Sequence, residues 1–195
     1  TEAELNIQIL LQYERVKEQA ASLTETLTCM ERDISHFKEG ITMNRNYRVI
    51  VMNTPEQRVF SVKRTIAVKA QDIHGLISDL MAQAKERGLH RAGPCQLVYM
   101  GNEFNEDRME VEAQLQVAEA HPDTKLLPES LCVTAIHQGS LEEVHIGYQA
   151  ICQYLDEHPE YQLTGISIER YLKDENTVSS AEELETAILF PVEKA

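Results

Sequence analysis

The order strand–helix–strand–strand occurs twice along this chain, and it constrains the fold more than any other feature of the sequence. The predicted elements of the first copy, in chain order, lie at about 58–68, 72–88, 95–100 and 109–117. Those of the second copy lie at about 131–138, 141–157, 166–172 and 184–190. This doubled order predicts an α+β domain in which two β-α-β-β units form one curved antiparallel sheet with both helices on one face.

Residue matches support the duplication, whose halves are expected at about 57–118 and 130–192. Three pairs of identical residues share one spacing between the copies: Gly75 and Gly147, Gly93 and Gly165, Tyr99 and Tyr171. The proline-containing segment 121–129 predicts a linker between the halves. A further strand is predicted ahead of the first copy, at 47–52.

Apolar residues recur with heptad spacing through the first forty residues. They form a seam of alternating three- and four-residue steps: Ile9, Tyr13, Val16, Ala20, Leu23, Leu27, Met30, Ile34 and Phe37. Such a seam predicts a coiled coil over residues 1–39 that joins two copies of the chain. The alternative is an amphipathic helix packed on its own domain. Because the chain begins at Thr1 within this pattern, we expect it to be part of a longer protein with a preceding domain.

Charge and hydropathy limit the partners that this chain is expected to have. Its formal net charge of −14 repels phosphate backbones, so we expect no direct nucleic-acid binding, whereas cationic small molecules are attracted. No apolar run reaches the length of a membrane span and no signal peptide is visible, so a cytoplasmic location without a membrane partner is expected. The four widely spaced cysteines are expected to be free thiols, with one disulfide pair as the alternative.

The predicted strand at 166–172 places Glu169 and Tyr171 on one face and Ile166 and Ile168 on the other. A glutamate beside a tyrosine is an unusual cover for a core, but it suits a pocket for a cationic or polar ligand. In the first copy, Leu97 stands at the position of Glu169. We therefore expect one carboxylate near the seam between two similar halves. The alternative for the tyrosines is that they cap the edges of the core.

The strand at 109–117 carries two kinds of face. Alternation places Val111 and Ala113 beneath the helices, and Glu110 and Glu112 on the opposite face, which is expected to be open or to form a concave groove. Because Glu112 lies in the middle of its strand, it is expected to line the groove together with Glu169. The alternative is a solvated outer face.

Motifs for catalysis or metal binding are missing from the sequence. It has no glycine-rich phosphate loop, no nucleophile elbow and no zinc-protease motif, and its seven histidines lack metal-ligand spacing. His137 and His145 flank a predicted turn and are interpreted as surface residues. We expect no metal, no cofactor and no enzymatic activity, although a glutamate and a tyrosine can act as base and acid in hydrolysis.

Three stretches carry a family resemblance: Glu169-Arg170-Tyr171-Leu172, the closing stretch from Glu182-Glu183-Leu184 to Phe190-Pro191-Val192 and, as a weaker match, Val111-Glu112-Ala113. With the heptad seam and the doubled order, they make the whole chain resemble a MerR-type multidrug-responsive transcription regulator. Residues 1–39 resemble the dimerisation coiled coil of such regulators, and residues 45–195 resemble their GyrI-like effector-binding domain. The winged-helix DNA-binding domain of the family would precede this chain.

This resemblance implies a groove between the two halves that binds bulky, often cationic and aromatic drugs or dyes. By the match Glu169 is the electrostatic anchor. The further ligand-binding residues that it implies are Tyr171, Tyr99, Glu112, Tyr148, Phe60 and Tyr47. One departure is Ala187, where the family often has a glutamate. Either the pocket carries less charge, or Glu112 supplies it from the other half.

The resemblance further implies a cytoplasmic bacterial regulator that is a homodimer through its coiled coil. Drug binding would change how two DNA-binding domains are held and so activate efflux genes, with DNA contacted only through the preceding domain. Two alternatives stay open. One is a small-molecule hydrolase with Glu169 or Glu112 as base and Tyr171 as acid, and the other is a gyrase-inhibitor-like protein-binding module.

Overall fold

A computed structural model describes residues 47–101, 105, 107–174 and 177–194, together with residue 17. The chain divides into two units, Thr1–Asn46 and Tyr47–Ala195, and the fold described below is that of the second. The predicted coiled coil of residues 1–39 lies outside the described residues, apart from Lys17, which is helical and exposed.

Nine strands and two α-helices occur among the described residues. In chain order they are β1 (Ile50–Thr54), β2 (Gln57–Ile66), α1 (Ala70–Glu86), β3 (Arg91–Met100), β4 (Met109–Val117), β5 (Thr124–Leu127), β6 (Ser130–Gln138), α2 (Val144–Glu157), β7 (Tyr161–Leu163), β8 (Ile166–Lys173) and β9 (Glu185–Lys194). Short 3-10 turns cover Leu141–Glu143 and Ala181–Glu183. The predicted α+β class and the doubled strand–helix–strand–strand order are confirmed.

The strands form one curled antiparallel sheet that is symmetric in its strand order. That order is β1-β6-β9-β8-β3-β4-β2-β5, with β7 paired to β9. Read outward from the centre, β3-β4-β2-β5 corresponds to β8-β9-β6-β1. The second strands of the two β-α-β-β copies, β3 and β8, therefore pair with each other and form the seam of the domain.

At this seam Leu97 lies directly opposite Glu169. Leu97 and Glu169 occupy equivalent positions in the two copies. Because β3 and β8 run antiparallel, this is the single pair in their register in which equivalent positions face each other. On either side, Gln96 faces Arg170 and Val98 faces Ile168. The structure thus places Glu169 on the pseudo-twofold axis that relates the halves.

Both helices pack on one face of the sheet. The stripe of α1 buries Leu80 and Ala84 against Val111 of β4 in the first core cluster, and α2 buries Ile151 against Ile188 of β9 in the second. Paired residues of an antiparallel sheet share a face, so Glu169, opposite both Leu97 and Ile188, lies on this same helix-bearing face.

The end of α1 shows why the first helix stops where it does. Gly88 adopts a positive φ of 67°, and the amide of Leu89 donates to the carbonyl of Ala84 at 3.0 Å while that of Gly88 donates to Lys85 at 3.1 Å. This pair of hydrogen bonds is a Schellman motif, which needs a left-handed residue that glycine supplies without steric cost. It turns the chain into β3.

Three elements differ from the sequence prediction. The strand expected at 47–52 is β1 at Ile50–Thr54, which pairs with β6 at one edge of the sheet. The segment predicted to be a linker, 121–129, contains β5, which pairs with β2 at the other edge. The short β7 was not predicted. Such edge pairings depend on residues far apart in sequence, so local patterns do not report them.

Candidate functional site

The centre of the helix-bearing face holds a carboxylate that is surrounded by three tyrosine hydroxyls. Glu169 is only 9% exposed. Its Oε2 accepts hydrogen bonds from Tyr171 at 3.1 Å and from Tyr99 at 3.2 Å, and its Oε1 accepts one from Tyr148 at 3.0 Å. We call these four residues the tyrosine–carboxylate cluster.

Three different elements bring the cluster together. Tyr171 follows Glu169 by two residues on β8, so strand alternation puts both on one face. Tyr99 lies on the adjacent β3, opposite Ser167. Tyr148 comes from α2. The Tyr148 ring also packs edge-on against the ring of Phe190, with the two ring centroids 5.6 Å apart. Both halves and one helix therefore build the site.

Burial controls the electrostatics of the cluster. It raises the pKa of Glu169 above its ordinary value, and the hydroxyls of Tyr148, Tyr171 and Tyr99 offset this only in part. Burial and the nearby Glu169 charge raise the pKa of each tyrosine well above its usual value, so all three stay protonated donors. Among the described residues, no lysine, arginine or histidine acts on the pKa of Glu169. The carboxylate has neutral donors but no counter-cation.

A cavity of about 390 Å³ lies beside the cluster, between α1 and the edge of the second half. Tyr171, which donates to Glu169, is one of its lining residues. Five aliphatic and thioether side chains belong to the wall: Ile73, Ile77, Met81, Leu141 and Leu184. The rim is charged but internally paired, since Arg91 binds Asp174 at 3.0 Å and Lys173 binds Glu185 at 2.6 Å.

Glu112 does not belong to this cluster. It pairs with Val98 and Lys63, so it points to the face opposite the helices, as predicted. Glu169 lies on the helix-bearing face instead, so the expectation that the two carboxylates share a groove is wrong. It is 5% exposed and forms an ion pair with Lys125 of β5. Burial raises the pKa of Glu112, but hydrogen bonds from Lys125, Ser61 and Gln114 outweigh it and hold the pKa below its ordinary value.

The remaining predicted wall residues lie in the two cores. Phe60 of β2 is buried in the first core, with the guanidinium of Arg87 5.1 Å from its ring centroid. Tyr47 packs in the second core, and its hydroxyl donates to Nδ1 of His137 at 2.7 Å.

His137 was interpreted from the sequence as a surface residue, and that interpretation is wrong. Its side chain is fully buried. Nε2 lies 2.8 Å from the carbonyl of Ser140, so it must donate, which leaves Nδ1 as the acceptor for Tyr47. Period-two alternation along β6, with Val133 and Ala135 buried, is the signal that would have placed it inside.

The residues that line the cavity from α1 were not singled out from the sequence. Ile73 and Ile77 belong to the apolar stripe that predicts a core-facing helix, and in the structure they pack beside the first core as well as lining the cavity. The apolar stripe of this helix does not indicate which of its residues line a cavity and which are fully packed. Leu141 precedes α2 on a 3-10 turn and is 37% exposed.

Replacing Lys125 by methionine is expected to destabilise the domain at neutral pH by about 1 kcal/mol, because the buried Glu112 loses its ion pair while Lys125 itself is half exposed. Since the folded pKa of Glu112 is lowered, the stabilisation is present above the unfolded pKa and is lost as pH falls through the folded pKa. Urea unfolding at neutral pH and at about pH 3 measures this. An equal loss at both pH values would contradict the ion-pair role.

Among the described residues, no three histidine, cysteine, aspartate or glutamate side chains cluster in a way that could hold a metal ion. None of the helices in the described part of the chain is long and apolar enough to cross a membrane. Cys95, Cys132 and Cys152 carry free thiols, whereas Cys29 lies outside the described residues.

Solved structures with this fold include the DNA-binding protein EcmrR in two forms. The crystal structure of the EcmrR C-terminal domain is 24% identical, with a TM-score of 0.70, over 76% of this chain and 99% of that one. The cryo-EM structure of an EcmrR–DNA complex is 23% identical, with a TM-score of 0.71, over 93% of this chain and 69% of that one. At these identities the likeness shows a shared fold.

Two more distant structures share the fold as well. SAV2435 bound to tetraphenylphosphonium is 14% identical, with a TM-score of 0.52, over 75% of this chain and 94% of that one. A hydrolase from Listeria innocua is 13% identical, with a TM-score of 0.53, over 75% and 92%.

Sequence comparison gives the family. Among curated protein sequences, none matches the chain significantly. The family described as GyrI-like small molecule binding domain matches residues 48–193, which spans both halves, the seam and the tyrosine–carboxylate cluster. The chain therefore belongs to the GyrI-like small-molecule-binding domain family.

Proposed function

We propose that this domain binds bulky organic cations in the cavity beside Tyr171, with Glu169 as their counter-charge. The observation that carries the proposal is the buried carboxylate whose partners are three neutral phenols. An ionised group in this position has lost hydration without gaining an opposite charge, so a cation that enters recovers electrostatic energy that no residue of the cluster supplies.

The cavity suits a ligand of this class. Its volume of about 390 Å³ lies within the range of about 300–1,000 Å³ typical of drug-sized ligands. Its apolar wall accepts aromatic rings, and Tyr171 adds a ring face for cation–π attraction of about 0.5–2 kcal/mol. The complex of SAV2435 with tetraphenylphosphonium shows that a protein of the same fold holds such a cation.

We further propose that the chain is the ligand-sensing and dimerisation part of a bacterial transcription regulator. The heptad seam of residues 1–39 would join two chains, and the regulator's DNA-binding domain would precede it. The likeness to the EcmrR–DNA complex over 93% of this chain supports this arrangement. Cation binding would then change how the two DNA-binding domains are held.

Affinity for tetraphenylphosphonium is expected to fall on acidification, because the cation requires ionised Glu169. Since burial raises the pKa of Glu169 above 4.5, the loss begins at a higher pH than an ordinary glutamate would give. Titration calorimetry across about pH 5–8 measures the affinity. Triphenylphosphine oxide, a neutral ligand of similar shape, serves as control and should show no such dependence. Parallel pH profiles for both ligands would count against the proposal.

The runner-up function is hydrolysis of a small molecule. The 3.1 Å contact between Tyr171 and Glu169 favours it, because one group could activate water while the other protonates a leaving group. Release of nitrophenolate from a nitrophenyl ester, lost in Glu169→Gln, would support an enzyme. Intact ester after prolonged incubation with the protein would speak for a binding domain.

A further inference from the structure

The face of the sheet that carries no described helix has a polar centre. Adjacent strands place five side chains in one row across it: Ala187, Arg170, Gln96, Gln114 and Ser61. Gln96 is 2% exposed and Gln114 is 3% exposed, because the sheet curls around this face. Burying two amides side by side is unfavourable unless their hydrogen bonds are satisfied.

A directed hydrogen-bond chain satisfies them. Nε of Arg170 donates to Oε1 of Gln96 at 2.8 Å, and Nε2 of Gln96 donates to Oε1 of Gln114 at 2.6 Å. Gln114 in turn supports Glu112, which already has Lys125 as its counter-charge. The chain therefore ends on a neutralised carboxylate and leaves the positive charge of Arg170 uncompensated.

Arg170 is half-buried, and its outer amino groups are open. Among the described residues no carboxylate forms an ion pair with Arg170. Its hydrogen bond to the described part of the protein is the one that Nε donates to Gln96. The one buried side-chain polar atom without a partner in the described part is Oγ1 of Thr134. The two Nη groups have no hydrogen-bond partner among the described residues and are not among the buried unsatisfied atoms, so they reach solvent. In a chain with net charge −14, a half-buried guanidinium without an ion-pair partner in the described part favours an anion.

Exposed apolar side chains flank this guanidinium. Ile136 lies one strand beyond Ala187 in the same row and is 54% exposed. Ile50 and Met52 of β1 lie on the same face, opposite Thr134 and Cys132, and are 38% and 41% exposed. Ala187, which lies between Arg170 and Ile136, is small and 6% exposed. An anion with an apolar tail matches this combination.

We propose that the helix-free face is a second binding site, for small organic carboxylates with an apolar tail. The carboxylate pairs with the Nη groups of Arg170, and the tail lies against the exposed side chains of Ile136 and β1. Arg170 and Glu169 are consecutive in the sequence and point to opposite faces, so the two sites have opposite charge preference and are separated by the sheet.

The test uses octanoate as probe, with octanol and octylammonium as controls. The whole chain is expected to bind octanoate but not octanol at the same concentration, and octylammonium should not displace octanoate. Arg170→Gln is expected to weaken octanoate binding at least about 10-fold, because a charge-assisted bidentate pair is lost. Arg170→Lys should retain part of the affinity. Arg64→Gln removes an arginine already paired with Asp79 and should have no effect.

Thermal unfolding shows whether Arg170→Gln is folded. A second variant tests the proposal independently of that result. Ile136→Glu, at an exposed position, places a carboxylate within reach of Arg170 across one strand and should compete with octanoate, whereas Ile136→Gln should not. Failure of the chain to bind octanoate, equal binding by Arg170→Gln, or displacement of octanoate by tetraphenylphosphonium would overturn the proposal. The last outcome would place octanoate in the cavity beside Tyr171 instead.

Discussion

Glu169→Gln is expected to weaken tetraphenylphosphonium binding by about 30-fold or more while leaving triphenylphosphine oxide nearly unchanged. Removing one partner of a buried charge pair costs about 2 kcal/mol or more, which corresponds to that factor. The substitution keeps the shape of the side chain; the glutamine oxygen accepts from the tyrosine hydroxyls on one side, and the amide nitrogen donates to the hydroxyl oxygen on the other. The loss therefore reports charge rather than packing.

Titration calorimetry with both ligands on the wild-type chain and the variant measures this difference. Glu112→Gln is the matched control, since it removes an equally buried carboxylate from the opposite face of the same sheet. It should leave cation affinity intact. Equal losses for charged and neutral ligands, or an equal loss in Glu112→Gln, would show that Glu169 is not the anchor.

Gly147→Ala is expected to destabilise the domain by about 1–3 kcal/mol through overpacking. A Cβ at this position would lie 2.4 Å from Cδ1 of Ile188 and 3.3 Å from Cε1 of Tyr47. Ile188 is fully buried and pairs with Glu169, so it has little room to move. Since Tyr148 follows directly in α2, cation affinity should fall along with stability.

The duplicated fold supplies the control for this experiment. Gly75 is the corresponding glycine of α1, and a Cβ there meets nothing within 4 Å, so Gly75→Ala should stabilise by about 0.5–1 kcal/mol. Ile188→Val removes the clashing Cδ1 and should cost less in the Gly147→Ala background than alone. Urea unfolding of the four variants tests both points. If the changes in unfolding free energy of Gly147→Ala and Ile188→Val simply add in the double variant, the predicted clash is ruled out.

Local patterns in the sequence were sufficient for much of the site. Alternation along 166–172 places Tyr171 beside Glu169 and the repeat adds Tyr99, whereas Tyr148 was expected at the site only from the family resemblance. The faces of β8 were harder to assign. Ile166 and Ile168 point away from the helices although they are apolar. Apolar residues are suited to this position because the curled sheet partly buries its other face as well. A strand at the centre of such a sheet is covered on both faces. The alternation of apolar and polar residues along it therefore does not identify which face bears the helices.

Contacts between distant segments could not be predicted in the same way. Lys125 lies in a proline-flanked segment that reads as a linker, and only its pairing as β5 brings it to Glu112. The burial of His137 depends on Tyr47, ninety residues earlier in the chain. These partners are set by the sheet order rather than by any local spacing.

The meeting of Leu97 and Glu169 on the pseudo-twofold axis shows what fusion of two copies makes available to this domain. A symmetric dimer of one half would place two identical residues at that point. Two glutamates there would repel each other and share a proton, and two leucines would offer no charge. Because one chain carries both copies, the two positions are independent. A single carboxylate can then occupy the centre of a nearly symmetric site, and any cation held there has one defined direction to face.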